Sequence, residues 1–463
     1  MASLCRWRGR TTESVVKEQW EPGNGRERLN KMKRRSLVPP ICVFLALLLA
    51  GCNLPETSTP PPESLTAFPV QTTISPSPTA LPTLSPVATL TVNPTEVSVK
   101  QQAEVKITRI VMLDLNTGWA TGVVADEKGE EVLRTRDGGV TWTVVTPAGA
   151  LRGAETRATA FFMDSQHAWV VFTRPPYTND QPVVIWRTSD GGDTWKGSAP
   201  QMSNLMMEFF AVGQVGFLDE LHGWLLAHLG AGMSHDYVTL LTTSDGGASW
   251  RYVVDPEKNN LPMSCYKDSA WFLNEHKGFV AGTCGGVIYG LYFYSTLDGG
   301  ETWNPVELPA PAEMPDAFTS QAVVCEGRDL WGNGTALRLM VRCYNPDAAK
   351  DYRWLYTSTD GGATWKPSLL PGSWGELAFQ GETLGWYFAQ PAPDQTAGTK
   401  VYLSRDSGQT WRLISTVNWN GPATFVDEKH GWVVAMTPEG KSALAHTRDG
   451  GVTWELFHPV TWR

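Results

Sequence analysis

The sequence predicts an all-β protein built from repeated four-stranded sheets. Its hydrophobic content of 42% and aromatic content of 11% are enough for a sizeable core, yet almost no long amphipathic helical pattern is present. Its 44 glycines separate short apolar segments, as turns separate strands. A length of 463 residues would suggest about three ordinary domains. A hairpin motif that recurs seven times decides instead for one repeat domain.

Each copy of the motif is an eight-residue segment with the pattern [Ser/Thr]-x-Asp-x-Gly-x-[Ser/Thr]-Trp. In a tight turn the aspartate accepts backbone N–H groups, and glycine supplies a positive φ. The tryptophan adds a large buried surface beside the hairpin. We therefore assign the aspartates and tryptophans a structural role: Asp137, Trp142, Asp190, Trp195, Asp245, Trp250, Asp298, Trp303, Asp360, Trp365, Asp406, Trp411, Asp449 and Trp454.

A second element precedes each hairpin motif and ends in Gly-Trp. It is clearest at 217–224 (FLDELHGW) and 425–432 (FVDEKHGW). Weaker copies end at Trp119, Trp169, Phe279 and Trp386, and the fifth unit has only CEGRDLWGNG around Trp331. This pattern of strand, turn and strand gives four strands per unit.

The motif aspartates are separated by 53, 55, 53, 62, 46 and 43 residues. Four-stranded sheets repeated at roughly 40 to 50 residues are typical of propeller blades. We predict a single seven-bladed β-propeller over residues 101–463. We expect the seventh unit to end at Trp462 with its own fourth strand, and a strand around 95–104 could complete the last sheet.

These motifs resemble two groups of known proteins. The hairpin motif is similar to the Asp-box turn of bacterial sialidases and related propellers. The Gly-Trp turn followed by an Asp-box, seven times over residues 105–460, resembles the photosystem II stability and assembly factor family of BNR-repeat propellers. That resemblance implies an assembly chaperone that holds a membrane-protein partner through a basic patch. This chain departs from the family because it is strongly acidic.

The N-terminal segment has the parts of an export signal. Basic residues at 33–35 precede an apolar run at 41–50, too short to be a comfortable membrane span. The run ends in LAGC, which resembles the lipobox of bacterial lipoproteins and implies cleavage before a lipidated Cys52. We expect residues 1–51 to be removed, with Met32 a better start than Met1. The alternative is an uncleaved anchor with an incidental cysteine.

Residues 52–100 are rich in Pro, Ser and Thr, a composition that predicts an extended, disordered tether. Two acyl chains on Cys52 would hold the protein at a membrane without a transmembrane helix. The tether would lift the propeller away from that membrane. The predicted location is therefore the cell surface or the periplasmic side.

The charge of the mature chain limits its partners. Residues 1–51 carry ten Lys and Arg against four Asp and Glu, so their removal changes the net charge from −9 to about −15. Nucleic acid requires a basic surface, so we expect no nucleic-acid partner.

The motif aspartates do not predict catalysis. A glycosidase needs two carboxylates about 5 to 10 Å apart, whereas these seven are fixed in turns on different blades. The sialidase resemblance stops at the boxes, because no suitable arginine segment is found; Arg174 is nearest and has the wrong neighbours. Larger Asp-box glycanases carry two propellers. We predict no enzyme activity.

No cofactor or metal site is predicted. His222, His276 and His430 recur in equivalent turns, which favours a turn role over metal binding. The chain has no CxxC motif and no phosphate-binding glycine loop.

Four cysteines remain in the predicted propeller. Cys265 and Cys284 flank the first two strands of unit four, and Cys325 and Cys343 do the same in unit five. Equal placement favours two bridges, one per blade, although three connectivities exist. The alternative is four buried thiols.

Long insertions at 174–182, 228–237, 305–319 and 344–353 are candidates for a binding face. Tyr177, Tyr237, Tyr344 and Trp354 lie near them and are possible ligand contacts, or else loop aromatics packed on their own blades. We predict a lipid-anchored scaffold that binds a protein at a membrane or envelope complex. A glycan-binding or glycan-hydrolysing propeller is the alternative.

Overall fold

The computed structural model describes residues 102–462, except 126, 176, 178–182, 201–209, 233–234, 259, 285–289, 373, 392–396 and 438. Within these residues the protein is all-β, and its strands form small antiparallel sheets in a propeller-like arrangement. No helix among them is long and apolar enough to cross a membrane. The predicted signal segment, Cys52 and the tether lie outside the described residues.

Consecutive strands pair into antiparallel meanders of four, numbered here in chain order. The first three contain β1 (Gln102–Met112), β2 (Gly118–Val124), β3 (Glu131–Thr135) and β4 (Thr141–Val144); β5 (Arg157–Phe162), β6 (Ala168–Thr173), β7 (Ile185–Thr188) and β8 (Lys196–Ser198); and β9 (Ala211–Phe217), β10 (Gly223–Gly232), β11 (His235–Thr243) and β12 (Arg251–Val254). The fourth and fifth contain β13 (Tyr266–Phe272), β14 (Gly278–Thr283), β15 (Tyr292–Thr296) and β16 (Asn304–Pro305); and β17 (Val324–Asn333), β18 (Ala336–Asn345), β19 (Lys350–Ser358) and β20 (Lys366–Leu369). The last two contain β21 (Gly375–Gln380), β22 (Leu384–Ala389), β23 (Thr399–Ser404) and β24 (Arg412–Val417); and β25 (Ala423–Phe425), β26 (Gly431–Met436), β27 (Ser442–Thr447) and β28 (Glu455–Phe457).

Two pairings go beyond the meanders. Thr283 of β14 pairs with Glu326 of β17, which joins the fourth and fifth meanders into one eight-stranded sheet. The last strand, β29 (Val460–Trp462), pairs antiparallel with β1 and parallel with β4. The prediction for Trp462 was therefore wrong: β28 is the fourth strand of the seventh meander, and Trp462 belongs with the first.

The burial of the strands follows their position in each meander. The second strands are apolar on both faces because neighbouring meanders cover both sides; β6 is buried at every position. The fourth strands lie at the outer edge, and β8 and β28 are largely exposed.

The hydrophobic cores lie between consecutive meanders. One core combines Trp224 of the third meander with Phe272 of the fourth. Another combines Trp432 of the seventh meander with Ile107 and Leu133 of the first. The two ends of the described chain therefore share a core, as in a closed arrangement.

The Gly-Trp tryptophans bond neighbouring meanders together. In five meanders the indole Nε1 donates to a backbone carbonyl of the next meander, at 2.8–3.1 Å. These bonds run from Trp119 to Asp164, Trp169 to Gly246, Trp224 to Ala270, Trp386 to Gly450, and Trp432 to Gly138. A buried indole N–H needs an acceptor, and a turn of the next meander supplies one in four cases and strand β13 in the case of Trp224.

The fifth meander departs from the predicted pattern. Trp331 lies on the first strand β17 and not after a turn, and its ring is 6.2 Å from that of Phe379 in the sixth meander. The turn follows at 334–335, so buried Arg338, which pairs with Thr357, takes the place that a Gly-Trp tryptophan has elsewhere and donates to the Glu382 carbonyl of the next meander. Matching the Trp letter alone therefore misplaced the turn.

Candidate functional site

The seven Asp-box turns share one hydrogen-bond pattern. In the first, the Asp137 carboxylate accepts the Thr135 hydroxyl at 2.9 Å, the Thr141 backbone N–H at 2.9 Å and the Thr141 hydroxyl at 2.6 Å. The N–H of Gly139 donates to the Thr135 hydroxyl at 3.0 Å. The equivalent aspartates make the same contacts: Asp190, Asp245, Asp298, Asp360, Asp406 and Asp449.

These bonds stabilise the ionised form of the box aspartates. The hydroxyl and N–H of Thr194, with the hydroxyl of Thr188, lower the pKa of Asp190 to about 2. The corresponding donors, led by the Thr302 hydroxyl, lower the pKa of Asp298 to about 2. The hydrogen-bond donors to each of these carboxylates come from its own turn.

The box tryptophans differ in burial. Trp142, Trp303 and Trp365 are buried, and Trp195, Trp250, Trp411 and Trp454 are partly buried. Trp142 Nε1 donates to the Gly139 carbonyl of its own turn at 2.8 Å. Most of this motif therefore acts within one hairpin.

The turn histidines are also bonded locally. His222 Nδ1 lies 2.9 Å from Asp219, and His430 Nδ1 lies 2.9 Å from Asp427. In the fourth meander the backbone N–H of His276 donates to Asn274. No group of three or more metal-ligating side chains converges within the described residues.

The two disulfides are confirmed. Cys265 bonds to Cys284 and Cys325 bonds to Cys343, with Cα–Cα distances of 4.3 and 4.1 Å. Each bridge joins the first two strands of its meander at the end opposite the Asp-box.

The four predicted ligand contacts do not form one site. Trp354 is 0% exposed, and its Nε1 donates to Glu313 at 3.0 Å. The prediction that Trp354 is an exposed contact was wrong, because the register of β19 places it in the core. Tyr177 is partly buried, and Tyr237 is 38% exposed with its ring 6.2 Å from that of His235. Tyr344 is partly buried beneath the Arg342 guanidinium.

A different cluster lies on the first strands of the fourth, fifth and sixth meanders. We define the carboxylate site as Asp268 of β13, Asp329 of β17 and Glu376 of β21, with Arg328 and Arg353 beside them. The charges of these residues act on one another's pKa values, which places them in one neighbourhood.

Two of these carboxylates occupy β-bulges. The register of β13 shifts between Lys267 and Ser269, and that of β17 shifts between Arg328 and Leu330, which leaves Asp268 and Asp329 unpaired in the ladder. Asp329 has a φ of 50°, in the left-handed region. Bulges redirect side chains and are common beside functional sites.

The three carboxyls of this site have raised pKa values, although only Asp268 is partly buried and Asp329 and Glu376 are exposed. Burial raises the pKa of Asp268 to about 6, although the Thr283 hydroxyl donates to it at 2.7 Å. Burial also raises the pKa of Asp329, opposed by Arg353 and Arg328. For Glu376, burial and then the negative charge of Asp329 raise the pKa. Asp329 and Glu376 nevertheless reach solvent, as side chains do in a recess.

The nearby arginines are bonded elsewhere. Arg342 makes two bonds to Asp351, at 2.9 and 2.8 Å. Arg328 lies 3.5 Å from Glu326 and 3.9 Å from Asp268. Arg353 donates to the Gly375 carbonyl at 3.3 Å. Among the described residues, neither Asp329 nor Glu376 accepts a hydrogen bond or forms an ion pair within 4.0 Å.

Two exposed aromatic rings flank the carboxylates. Trp374, two residues before Glu376, is 39% exposed, with the Arg342 guanidinium 4.4 Å from its ring centroid. Tyr266, two residues before Asp268, is 49% exposed and stacks on His228 at 4.6 Å. The arrangement combines solvent-reachable carboxylates with exposed aromatic surface, which suits binding.

Sequence reasoning missed this site because no motif marks it. Its members are spread over residues 266–376 and converge only when three meanders pack together. One signal was available: YKDSAWF at 266 and CEGRDLW at 325 both place an aspartate with other charged residues in a first strand.

Comparisons with known proteins agree with the fold. The BNR/Asp-box repeat family matches residues 356–367, the fifth box. The chain carries a BNR/Asp-box repeat. No curated protein matches its sequence.

Several solved structures are similar in fold. YCF48 bound to D1 peptide is 15% identical over 76% of this chain and 96% of its own, with a TM-score of 0.46. Oligogalacturonate lyase from Vibrio parahaemolyticus is 7% identical over 75% and 90%, with a TM-score of 0.50. A puromycin-hydrolyzing peptidase from Mycobacterium tuberculosis is 11% identical over 77% and 50%, also with a TM-score of 0.50. These findings fit a BNR-type propeller. The names of the similar structures describe different activities, so they do not assign one function to this chain.

Proposed function

We propose that this protein is a lipid-anchored, extracytoplasmic seven-bladed propeller that binds a protein partner at a membrane or envelope complex. Seven Asp-boxes and the four-strand meanders support the blade count. Closure of the ring is supported by the Trp432 bond to Gly138 and by the pairing of β29 with β1.

The observation that carries the binding function is the carboxylate site. Asp329 and Glu376 are charged groups that reach solvent without a partner in the described chain, beside the exposed Trp374. The raised pKa values of Asp329 and Glu376 indicate that ionising these carboxyls carries a cost in the folded protein. A ligand that pairs with them offsets that cost, which is the usual reason such groups persist at functional sites.

Capture from solubilised membranes tests the proposal. We expect the mature protein to retain a partner in stoichiometric amount and the Asp329→Asn/Glu376→Gln double variant to lose it. Glu307→Gln is the matched control, because Glu307 is an exposed carboxylate beyond β16. Equal capture by all three proteins, or no stoichiometric partner for any, would contradict binding at this site.

The anchor is tested separately. Mass spectrometry of the mature N-terminus should find a diacylglyceryl group on Cys52, and Cys52→Ser should release the protein from membranes while Cys42→Ser does not. An unmodified residue 52 on membrane-bound protein contradicts the lipid anchor.

One observation favours a glycan-active propeller as a second candidate. Asp268 has a pKa of about 6, and Glu326 and Asp329 are near it, so one carboxyl is protonated more readily than its neighbours. Exposed Tyr266 and Trp374 could stack on sugar rings. A screen of sialosides, β-glucans and uronate polysaccharides tests this, and turnover abolished by Asp268→Asn would replace the binding function.

A further inference from the structure

One interface between meanders differs from the others beside its Gly-Trp tryptophan. A residue of the third strand pairs with this tryptophan in the ladder, so the two side chains lie on the same face of the sheet. In four meanders the paired residue is large: Trp119, Trp169, Trp386 and Trp432 pair with Arg134, Arg187, Leu403 and His446, in that order. Trp224 of the third meander pairs instead with Thr242. The Trp224 indole therefore lacks the large neighbour that the other indoles have.

The basic residues among these neighbours fill the space beside their indoles. The Arg134 guanidinium lies 5.3 Å from the centroid of the Trp119 ring and donates to the Gly191 carbonyl of the next meander at 2.7 Å. Arg187 donates to the equivalent carbonyl of its own next meander at 3.5 Å, and the His446 ring stacks on its tryptophan at 4.4 Å. A cavity between the first two meanders is lined by Arg134 and not by Trp119, so the arginine closes the space beside the indole.

A cavity occupies the corresponding place between the third and fourth meanders. Its lining includes Trp224, Thr242, Phe272 and Glu275, and its volume is about 260 Å³. We call it the interface cavity. It is smaller than the roughly 300 to 1,000 Å³ of pockets that hold drug-sized ligands, so its size suits a single side chain.

The ring packing around the interface cavity also differs. At three other interfaces the Gly-Trp indole stacks on the phenylalanine that ends the first strand of the next meander, with interplanar angles of 7°, 14° and 4°. The rings of Trp224 and Phe272 are instead tilted by 43° with centroids 5.6 Å apart. Nε1 of Trp224 donates to the Ala270 carbonyl within β13 at 3.1 Å, and not to a turn. The interface cavity is therefore built by the packing of two sheets.

The charged groups at the interface cavity favour a cation. Arg251 of the lining is already bonded to Glu301, at 2.6 Å. Glu275 is exposed and lies 3.2 Å from Nε2 of His222, whose Nδ1 lies 2.9 Å from Asp219. Three carboxylates therefore meet one arginine and one histidine. A carboxylate can accept several hydrogen bonds, and His222 is the only ion-pair partner of Glu275 among the described residues.

We propose that the interface cavity takes an arginine side chain of a second polypeptide, with the guanidinium bonded to the Glu275 carboxylate. Arg134 and Arg187 place the same group in the same position at the first two interfaces. A guanidinium is planar and always charged, whereas the ammonium group of lysine is compact and more strongly hydrated. The proposal goes beyond the proposed function, because the interface cavity lies at the Asp-box end and shares no residue with the carboxylate site.

Peptide binding tests the proposal without any variant. Fluorescein-labelled Gly-Ser peptides that carry one arginine, one citrulline or one lysine would be titrated with the protein by fluorescence anisotropy. Citrulline keeps the planar shape of arginine without its charge, and lysine keeps the charge without the planar shape. We expect the arginine peptide to bind about tenfold more tightly than either, because each of the others loses a charge-assisted hydrogen bond. Equal affinity for the arginine and lysine peptides would overturn the proposal, because general attraction to an acidic protein would explain it.

Filling the interface cavity from within locates the binding. Thr242→Arg gives the third meander the residue type of Arg134 and Arg187, and it should raise Tm and weaken the arginine peptide about tenfold. Glu275→Gln should weaken it by a similar factor without filling the space. The charge-matched control is Ala363→Arg, at an exposed position of the fifth Asp-box that the motif does not constrain, and it should leave binding unchanged. Unchanged binding in folded Thr242→Arg and Glu275→Gln, or an equal loss in Ala363→Arg, would reject the site; far-UV circular dichroism checks folding.

Different variants test the interface cavity and the carboxylate site. Thr242→Arg leaves Asp329 and Glu376 unchanged, and Asp329→Asn/Glu376→Gln leaves the interface cavity unchanged. Arginine-peptide binding that survives the double variant supports a separate site, whatever the result of partner capture. Binding that is lost in the double variant and kept in Thr242→Arg would assign the peptide to the carboxylate site and reject the interface cavity.

Discussion

The two ends of the meanders treat aspartate in opposite ways. At the Asp-box end, hydroxyl and N–H donors surround each carboxylate and lower the pKa of Asp190 and Asp298 to about 2. At the other end, burial raises the pKa of Asp268 to about 6, and Asp329 and Glu376 shift upward for the same first reason. The Asp-box carboxylates accept hydrogen bonds within their own hairpins, whereas the carboxylates of Asp329 and Glu376 have no hydrogen-bond or ion-pair partner in the described chain. The residue type alone therefore does not tell a structural aspartate from a functional one.

The two ends also differ in regularity. The Asp-box turns repeat one geometry, including the glycine pair with φ of 75° and 92° in the first box. The opposite end carries both disulfides and the insertions, whereas the bulges at Asp268 and Asp329 lie within first strands, and β1 and β9 also have register shifts. The Asp-box turns that build the scaffold are therefore nearly identical, whereas the loops at the opposite end vary in length, as is usual for loops on a rigid fold.

The largest expected effect comes from opening a disulfide at the irregular end. Cys325→Ser/Cys343→Ser removes a bridge across 18 residues, which should cost about 3 kcal/mol of unfolding free energy. Guanidinium unfolding measures the loss. Reductant should lower the stability of the wild type more than that of the variant. An unchanged midpoint would show that the paired strands hold this end without the bond.

A smaller loss is expected at the regular end. Asp298→Ala leaves the Thr296 and Thr302 donors without their acceptor and should cost about 2 kcal/mol. Because the folded pKa is lowered, this stability is present above the unfolded pKa and is lost as pH falls towards 2. The control is Asp193→Ala, with guanidinium unfolding measured at pH 7. Asp193 is exposed and occupies a position of the second Asp-box that the motif does not constrain. Capture of a partner from solubilised membranes should not change in either variant; a loss of capture would contradict the assignment of a purely structural role to the Asp-box aspartates.

The opposite sign is expected for Asp268→Asn. The folded pKa of about 6 is raised above the ordinary value of 3.8 for an aspartate, so wild-type stability falls as pH rises from about 4 to about 6 and stays lower above that range. The amide removes this penalty and should stabilise the protein by about 1 to 2 kcal/mol at pH 8, with no gain at pH 3.5. Thermal unfolding at both pH values measures the difference. Destabilisation at pH 8 would mean that its surroundings stabilise the ionised Asp268, as they do the Asp-box aspartates.

The smallest effect concerns a turn at the Asp-box end. Asp219, together with Glu275 of the next meander at 3.2 Å, raises the pKa of His222. A raised histidine pKa adds stability that is complete below the unfolded pKa and is lost as pH rises through the folded pKa. His222→Gln should therefore lower Tm slightly at pH 5.5 and not at pH 8.5.

His276→Gln is the control for that measurement, because its turn has the neutral Asn274 in place of Asp219. An equal pH dependence of Tm in the two variants would show that the ion pairs of His222 with Asp219 and Glu275 do not contribute to the stability of the turn.

The sequence predicted the local features well because their partners are close in the chain. The Asp-box bonds join residues two and four positions apart, so eight letters contain the whole turn. The disulfides were also within reach, since each joins strands that follow one another. The errors at Trp331, Trp354 and Trp462 arose where a residue's place depends on register or on a strand from the other end of the chain.

By itself, the sequence of this protein determined the all-β class, the repeated hairpins and the structural role of their aspartates, because each is a matter of hydrogen bonds and turn conformations within a few residues. Only the tertiary structure decided where the unpaired charge lies. Asp268, Asp329 and Glu376 stand 47 to 108 residues apart in the chain. They become neighbours because three meanders pack side by side and two bulges redirect their side chains. The raised pKa values of these carboxyls are a property of that packing, which no short segment of the sequence contains.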